Sequence, residues 1–239
     1  MTSYSNMRIK LFADGADLEA IARLAGDPKI KGFTTNPTLM RKSGVTDYEK
    51  FSREILKVVT EKPISFEVLS DELGEIRLQA RKVASWGSNV NVKVPVVNSV
   101  GISNIPAIRE LSSEGIKINV TAVFSLMQVF SACQALKDGA PSIVSVFAGR
   151  IADAGRDPIP HMKAASAICR EASPRIELLW ASPRESLNII HAEEAGADII
   201  TVTPDLLSKM KLFGKDLEEF SRETSLMFKN DGEKAGYVL

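Results

Sequence analysis

The run from Asn89 to Val97, NVNVKVPVV, sets one lysine, Lys93, among five valines. Valine suits a buried strand, whereas an unpaired ammonium group is costly to bury. Apolar surroundings disfavour the charged form of a lysine and raise its share of free amine. A free amine adds to ketones and aldehydes to give a Schiff base, an electron sink for breaking or making a carbon–carbon bond. That chemistry also needs a proton shuttle, either a carboxylate or a water held by a hydroxyl. Asp14 and Glu67 offer carboxylates, Thr121 a hydroxyl, and Asn36 and Asn119 amides. Arg150, Ser182 and Arg184 offer donors suited to a phosphate. Brought together, these groups point to Schiff-base aldol chemistry on a phosphorylated sugar.

The elements that must position them alternate along the chain. Short apolar runs predict strands near 8–13, 32–35, 64–68, 91–94, 116–122, 142–147, 176–181 and 198–202. Helical spacing fills the intervals at about 17–25, 46–60, 71–85, 101–114, 125–137, 158–172, 184–195 and 204–212. Thr46 with Glu49 has the spacing of a capping box. Eight strand–helix pairs in 239 residues fit a (β/α)8 TIM barrel, although a doubly wound open sheet also alternates in this way. In a barrel the site lies at the carboxyl ends of the strands, where Asp14, Asn36, Glu67, Lys93, Asn119, Thr121, Arg150, Ser182 and Arg184 all fall. No linker divides the chain, so 1–239 is expected to be a single barrel domain. An extra C-terminal helix is expected at about 215–230, and the polar stretch after residue 229 is expected to be a loose end.

The totals narrow the class. Thirty basic and thirty acidic residues balance, which argues against nucleic acid or an anionic membrane surface as partner. No apolar run reaches the roughly 18 residues of a membrane helix, and the first ten residues lack a signal-peptide core. Cys133 and Cys169 lack C-x-x-C spacing and are expected to be free thiols, so a cytoplasmic protein is expected. There is no transition-metal spacing, no P-loop and no strand-linked dinucleotide motif, so no cofactor is implied. His161, His191, Trp86 and Trp180 are expected to pack or to face the surface.

The segments GFTTNPTLM, SFEV, NVKVPVV, GIKINVTAVFS, VSVFAGRI and WASPRES resemble, in order, the motifs of the transaldolase family. The likeness runs from Asp14 to about residue 205, and is greatest to the short bacterial-type branch related to fructose-6-phosphate aldolase. It implies a (β/α)8 barrel with Lys93 as the Schiff-base lysine. It implies that Asp14 takes the hydroxyl proton in carbon–carbon cleavage. Glu67 would act as acid and base through a water that Thr121 helps to hold. By the same resemblance Asn36 and Asn119 bond substrate hydroxyls, and Ser182, Arg184 and Arg150 bind phosphate. The related aldolases carry glutamine at the Glu67 position and tyrosine at the Phe147 position. Glu67 and Phe147 therefore favour transfer to an acceptor over release of free dihydroxyacetone. ADGAD is looser than the pattern of longer members, Pro183 replaces a bulkier residue, and Arg156 adds a further cation.

Each of these residues also has a structural reading. Lys93 can snorkel from a strand end, Glu67 can be a surface acid, Asp14 can cap a helix, and Asn36 before Pro37 can make a turn. Arg150 and Arg184 can be ion-pair partners on a barrel rim, and Thr34 and Thr35 can simply fill strand positions. Three functions compete: a transaldolase, an aldolase of the same scaffold, and a barrel that only binds a sugar phosphate. The apolar residues Leu217, Phe220, Leu226, Met227 and Phe228 exceed what a free helix should show. They predict packing on the barrel or on another subunit, and the resemblance implies a homo-oligomer of five or ten copies.

Overall fold

The structure, a computed structural model, describes residues 7–238. The chain divides into two compact units, one ending at Leu207 and one beginning at Ser208. In the first, eight strands close into a parallel barrel in chain order. They are β1 (Lys10–Asp14), β2 (Ile30–Thr34), β3 (Ile64–Glu67), β4 (Val90–Pro95), β5 (Ile118–Val123), β6 (Ser142–Val146), β7 (Ile176–Trp180) and β8 (Ile199–Val202). β1 pairs with both β2 and β8, which excludes the open sheet. The helices are α1 (Leu18–Ala25), α2 (Pro37–Lys42), α3 (Tyr48–Val58), α4 (Leu73–Ala84), α5 (Ile105–Ser113), α6 (Leu126–Leu136), α7 (Ala148–Asp153), α8 (Pro158–Ala172), α9 (Asn188–Glu194) and α10 (Pro204–Lys209).

The period-2 alternation of the strands sorts the residues. Val90, Val92 and Val94 of β4 are buried, and by alternation share the face opposite Asn91, Lys93 and Pro95. Helices meet the barrel through apolar stripes, such as Ile76, Ala80 and Val83 of α4 and Met162, Ala165 and Cys169 of α8. Phe12, Ile143, Leu179, Ala181 and Ile199 form a separate buried cluster inside the barrel. Gly32 makes room for it, since a Cβ there would overlap the Phe12 ring. Trp180 is fully buried, and Cys133 and Cys169 are free thiols, buried with their sulfurs 3.6 Å apart.

Several local expectations change. Asp47, not Thr46, caps α3, because its carboxylate accepts the Lys50 N–H at 2.9 Å. The short helices α2 and α7 arise in stretches read as loop. Asn36 and Pro37 start α2, and α7 follows directly from β6. In the second unit α11 (Leu217–Ala235) does not stop at residue 229. Glu233, Lys234 and Ala235 favour helix, and Gly236 ends it in the left-handed conformation at φ 69°. Leu217, Phe220, Leu226, Met227 and Phe228 of α11 are exposed. Among the described residues no helix is long and apolar enough to cross a membrane. Residues 1–6, within the stretch read for a signal peptide, and Leu239 lie outside the described residues.

Candidate active site

Parallel register fixes which side chains meet at the barrel mouth. Glu67 lies opposite Lys93, Lys93 opposite Asn119, and Pro95 opposite Thr121. Lys93 is only 7% exposed, and its Nζ lies 3.1 Å from Glu67 Oε2. The same Nζ donates to the Thr35 carbonyl at 2.9 Å. The valines therefore do not enclose the amine, as the strand pattern suggested. Alternation turns them away from it, and polar groups receive it.

Asp14 ends β1 and accepts a hydrogen bond from Thr34 Oγ1 at 2.7 Å. Burial pushes its carboxyl above the ordinary aspartate value; the Lys93 ammonium and then the Thr34 hydroxyl oppose this, and the Glu67 charge adds to it. Thr34 Oγ1 also bonds Thr201 Oγ1 of β8. Lys93, Glu67 and Asp14 thus form one electrostatic group at the strand ends.

Asn119 is fully buried. Its Nδ2 donates to Ser65 Oγ at 3.1 Å and its Oδ1 accepts from Ser145 Oγ at 2.6 Å. Thr121 Oγ1 is buried with no protein partner among the described residues. The next residue, Ala122, has φ 55°, and the β5–β6 register shifts there, so a bulge sets the end of β5. Asn36 serves α2 as its N-cap, accepting the Leu39 N–H at 2.9 Å, so its amide nitrogen is the group left to offer.

The cationic residues gather on the rim after β6 and β7. Arg150 Cζ lies 5.0 Å from the centroid of the Phe147 ring, and Phe147 also packs on the interior cluster. Arg184 forks onto Asp153, with Nε 3.0 and 3.1 Å from the two carboxylate oxygens and Nη2 also bonded. Hydrogen bonding to Arg184 holds the Asp153 carboxyl below its usual range. Ser182 has φ 61°, a strained value for a residue with a Cβ. Gly149 permits it, because any side chain there would overlap the Ser182 carbonyl.

The structure therefore brings Lys93, Glu67 and Asp14 together and gives Asn36, Asn119 and Arg184 structural partners as well. Thr34, read from the sequence as a strand filler, is instead the hydrogen-bond donor to Asp14, and Ser65, Ser145, Thr201 and Asp153 were not singled out from the sequence. Ser65 and Ser145 stand two residues before Glu67 and Phe147, so alternation from those positions was their signal. Asp14 also lines a cavity of about 280 Å³ with Asp17, Leu39 and Thr203. A cavity of about 390 Å³ lies elsewhere, at Arg109, Ser113, Gln134 and Lys137 of α5, α6 and their ends, and includes none of the lysine's partners.

A family profile described as Transaldolase/Fructose-6-phosphate aldolase matches residues 11–235. A "Probable transaldolase" of Bdellovibrio bacteriovorus is 37% identical over 202 residues, 84% of this chain and 89% of that protein. A "Probable transaldolase 2" of Listeria monocytogenes is 32% identical over 227 residues, 94% of this chain and 100% of that protein. Among solved structures, an HpcH/Hpal aldolase/citrate lyase family protein from Burkholderia cenocepacia superposes with a TM-score of 0.60 at 12% identity. That match covers 90% of this chain and 95% of the other, and at such low identity it speaks for the barrel alone. By the extent of the profile match and the identity to these relatives, the chain belongs to the transaldolase/fructose-6-phosphate aldolase family.

Proposed function

We propose that this protein is a Schiff-base transaldolase that moves a dihydroxyacetone unit from a ketose phosphate to an aldose phosphate. The observation that carries the reading is the buried Lys93 amine, 3.1 Å from the Glu67 carboxylate and in the field of Asp14. Lys93 adds to the ketose C2 carbonyl once its proton has passed to Glu67. The carbinolamine loses water as Glu67, directly or through a water bonded to Thr121, returns that proton to the leaving hydroxyl. Asp14 then takes the proton of the C4 hydroxyl, the C3–C4 bond breaks, and its electron pair is held as the enamine of Lys93. The aldose phosphate leaves, an acceptor aldehyde takes its place, and the steps run in reverse.

A half-buried carboxyl that desolvation raises above its ordinary value suits a group that must accept and return a proton. Asn36 and Asn119 bond sugar hydroxyls, and Ser182, Arg184 and Arg150 hold the phosphate. Phe147 has no hydroxyl with which to hold a water, which favours transfer over release of free dihydroxyacetone. Sedoheptulose 7-phosphate with glyceraldehyde 3-phosphate, and fructose 6-phosphate with erythrose 4-phosphate, are the substrate pairs that this chemistry fits. The setting would be the non-oxidative pentose phosphate pathway of the cytoplasm.

The test is borohydride reduction in the presence of each ketose phosphate, followed by mass spectrometry of the intact protein and peptide mapping. A reduced adduct on the Lys93 peptide is expected, and none on Lys93→Met. Absence of any adduct would leave only a sugar-phosphate-binding barrel. Turnover that proceeds equally well without an acceptor would make the protein an aldolase.

A further inference from the structure

We infer that Tyr48 is a positioning residue: its hydroxyl holds the seam between β2 and β3 open at the active-site rim, and so aims Glu67 and frees an acceptor for Lys93. The inference rests on the Schiff-base reading above.

Backbone bonding between β2 and β3 starts as an ordinary parallel ladder. The Phe33 N–H donates to the Pro63 carbonyl at 2.8 Å and the Thr35 N–H to the Ser65 carbonyl at 3.2 Å. In such a ladder the carbonyl of a residue accepts from the strand partner two positions beyond the one its N–H reaches. The Thr35 carbonyl is therefore due the N–H of Glu67. That rung is absent from its place. The Glu67 N–H donates instead to Tyr48 Oη at 2.8 Å, and Tyr48 Oη–H donates to the Glu67 carbonyl at 2.9 Å. The Thr35 carbonyl accepts Lys93 Nζ at 2.9 Å.

One hydroxyl thus uses its proton and a lone pair on the two backbone groups of a single residue. Strand pairing reflects the exchange. β2 and β3 stop at Thr34 opposite Ser65, while β3 and β4 continue to Glu67 opposite Lys93. A backbone group left without a partner away from water is expensive, so the seam stays open only while something else serves the Glu67 amide.

Tyr48 is held for this task. It is the first residue of α3, directly after the Asp47 cap, so the start of the helix fixes its Cα. Its ring lies 6.2 Å from Trp86, which in turn packs edge-on to Phe66 at 5.8 Å. Phe66 is the fully buried neighbour of Glu67, so the cluster ties the ring to the strand it serves. Burial raises the phenol above its ordinary value, and Tyr48 remains a donor throughout the working pH range.

Without the hydroxyl, the nearest ladder acceptor for the Glu67 N–H is the Thr35 carbonyl. Making that rung closes the seam, draws the Glu67 backbone toward β2 and makes the Thr35 carbonyl serve a second donor, which weakens the anchor of Lys93. Both groups of the proposed reaction then move together.

Steady-state transfer and borohydride trapping should be compared in wild type, Tyr48→Phe, Glu67→Gln and the double variant. Tyr48→Phe is expected to trap an adduct yet lose kcat by about 10- to 100-fold with KM little changed, the scale for a group displaced by an ångström. In the Glu67→Gln background the same substitution should cost less in kcat, because the group it aims is already disabled and only its effect on the Lys93 anchor remains. The fall in melting temperature from Tyr48→Phe should be equal in both backgrounds. Wild-type turnover in Tyr48→Phe, or an equal fold-loss in both backgrounds, overturns the inference while the Schiff-base reading stands. A wild type that gives no adduct removes that reading and the inference with it.

Discussion

Thr34→Val tests whether Asp14 is kept as a working base against its own burial. Thr34 is buried, and its hydroxyl donates to Asp14 at 2.7 Å while bonded to the Thr201 hydroxyl. Each hydroxyl has one proton, so when Thr34 gives its own to Asp14, Thr201 must donate to Thr34. Valine keeps the branched shape and removes the donor. A hydrogen bond to a charged group contributes about 1.5–3 kcal/mol, and about 1.36 kcal/mol is tenfold in an ionisation equilibrium. On the acidic side, the ionised fraction of Asp14 should therefore fall by about 10- to 150-fold. Solvent that reaches Asp14 from the barrel mouth draws the loss toward the lower end.

The sign follows from the direction of the shift. Burial already raises Asp14 in the folded chain, so its contribution to stability is fully present below the unfolded aspartate range and is lost as pH rises through the folded value. Removing Thr34 widens that gap. The acidic limb of kcat/KM should move to higher pH, and the stability deficit of the variant should shrink as pH falls. Thr34→Ser should restore both, and Thr201→Val should move the limb less, in the same direction, because it acts one bond further out. The assay is transfer activity against pH, with urea unfolding at matched pH. An acidic limb in Thr34→Val that overlies the wild-type limb would refute the reasoning.

Other consequences are as specific. Arg184→Gln should raise KM for a ketose phosphate by about tenfold or more, the scale of a charge-assisted bond, and leave KM for the unphosphorylated sugar alone; equal changes for both sugars would place the phosphate elsewhere. Gly149→Ala should cost about 1–3 kcal/mol in urea unfolding, because its methyl group would overlap the Ser182 carbonyl. Normal stability there would show that the Ser182 turn gives way easily. The exposed apolar side chains of α11 predict a homo-oligomer, five or ten copies by the resemblance, that Phe220→Glu with Phe228→Glu dissociates in sedimentation velocity. A wild-type monomer would defeat that expectation.

Much of the fold was legible because the barrel repeats a signal. Eight apolar runs separated by helical spacing locate every strand to within two residues, and 158–172 matches α8. Caps were less legible. Thr46 and Asp47 are adjacent and both can cap, and the choice depends on how the chain leaves the loop rather than on residue type. Helices α2 and α7 were missed because six residues carry too little periodicity to distinguish helix from turn. Continuation of α11 past residue 229 was hidden by a polar stretch, since polarity marks exposure and not coil.

What the chain alone supplied was a set of candidates for one kind of chemistry: a lysine in a valine-rich strand, with carboxylates and arginines at the ends of other strands. Period-2 alternation is a local property, so it can place such residues on a common face without any knowledge of their neighbours. Tertiary structure alone decided which groups share a proton or a charge. Lys93 meets Glu67 because β3 and β4 pair in one register, Asp14 meets Thr34 because β1 pairs with β2, and Arg184 meets Asp153 across the β6–β7 rim. Tyr48 could not be found from the sequence. The groups it serves are the N–H and carbonyl of a residue 19 positions away, and backbone groups are alike in every residue until the fold leaves one of them without its ladder partner.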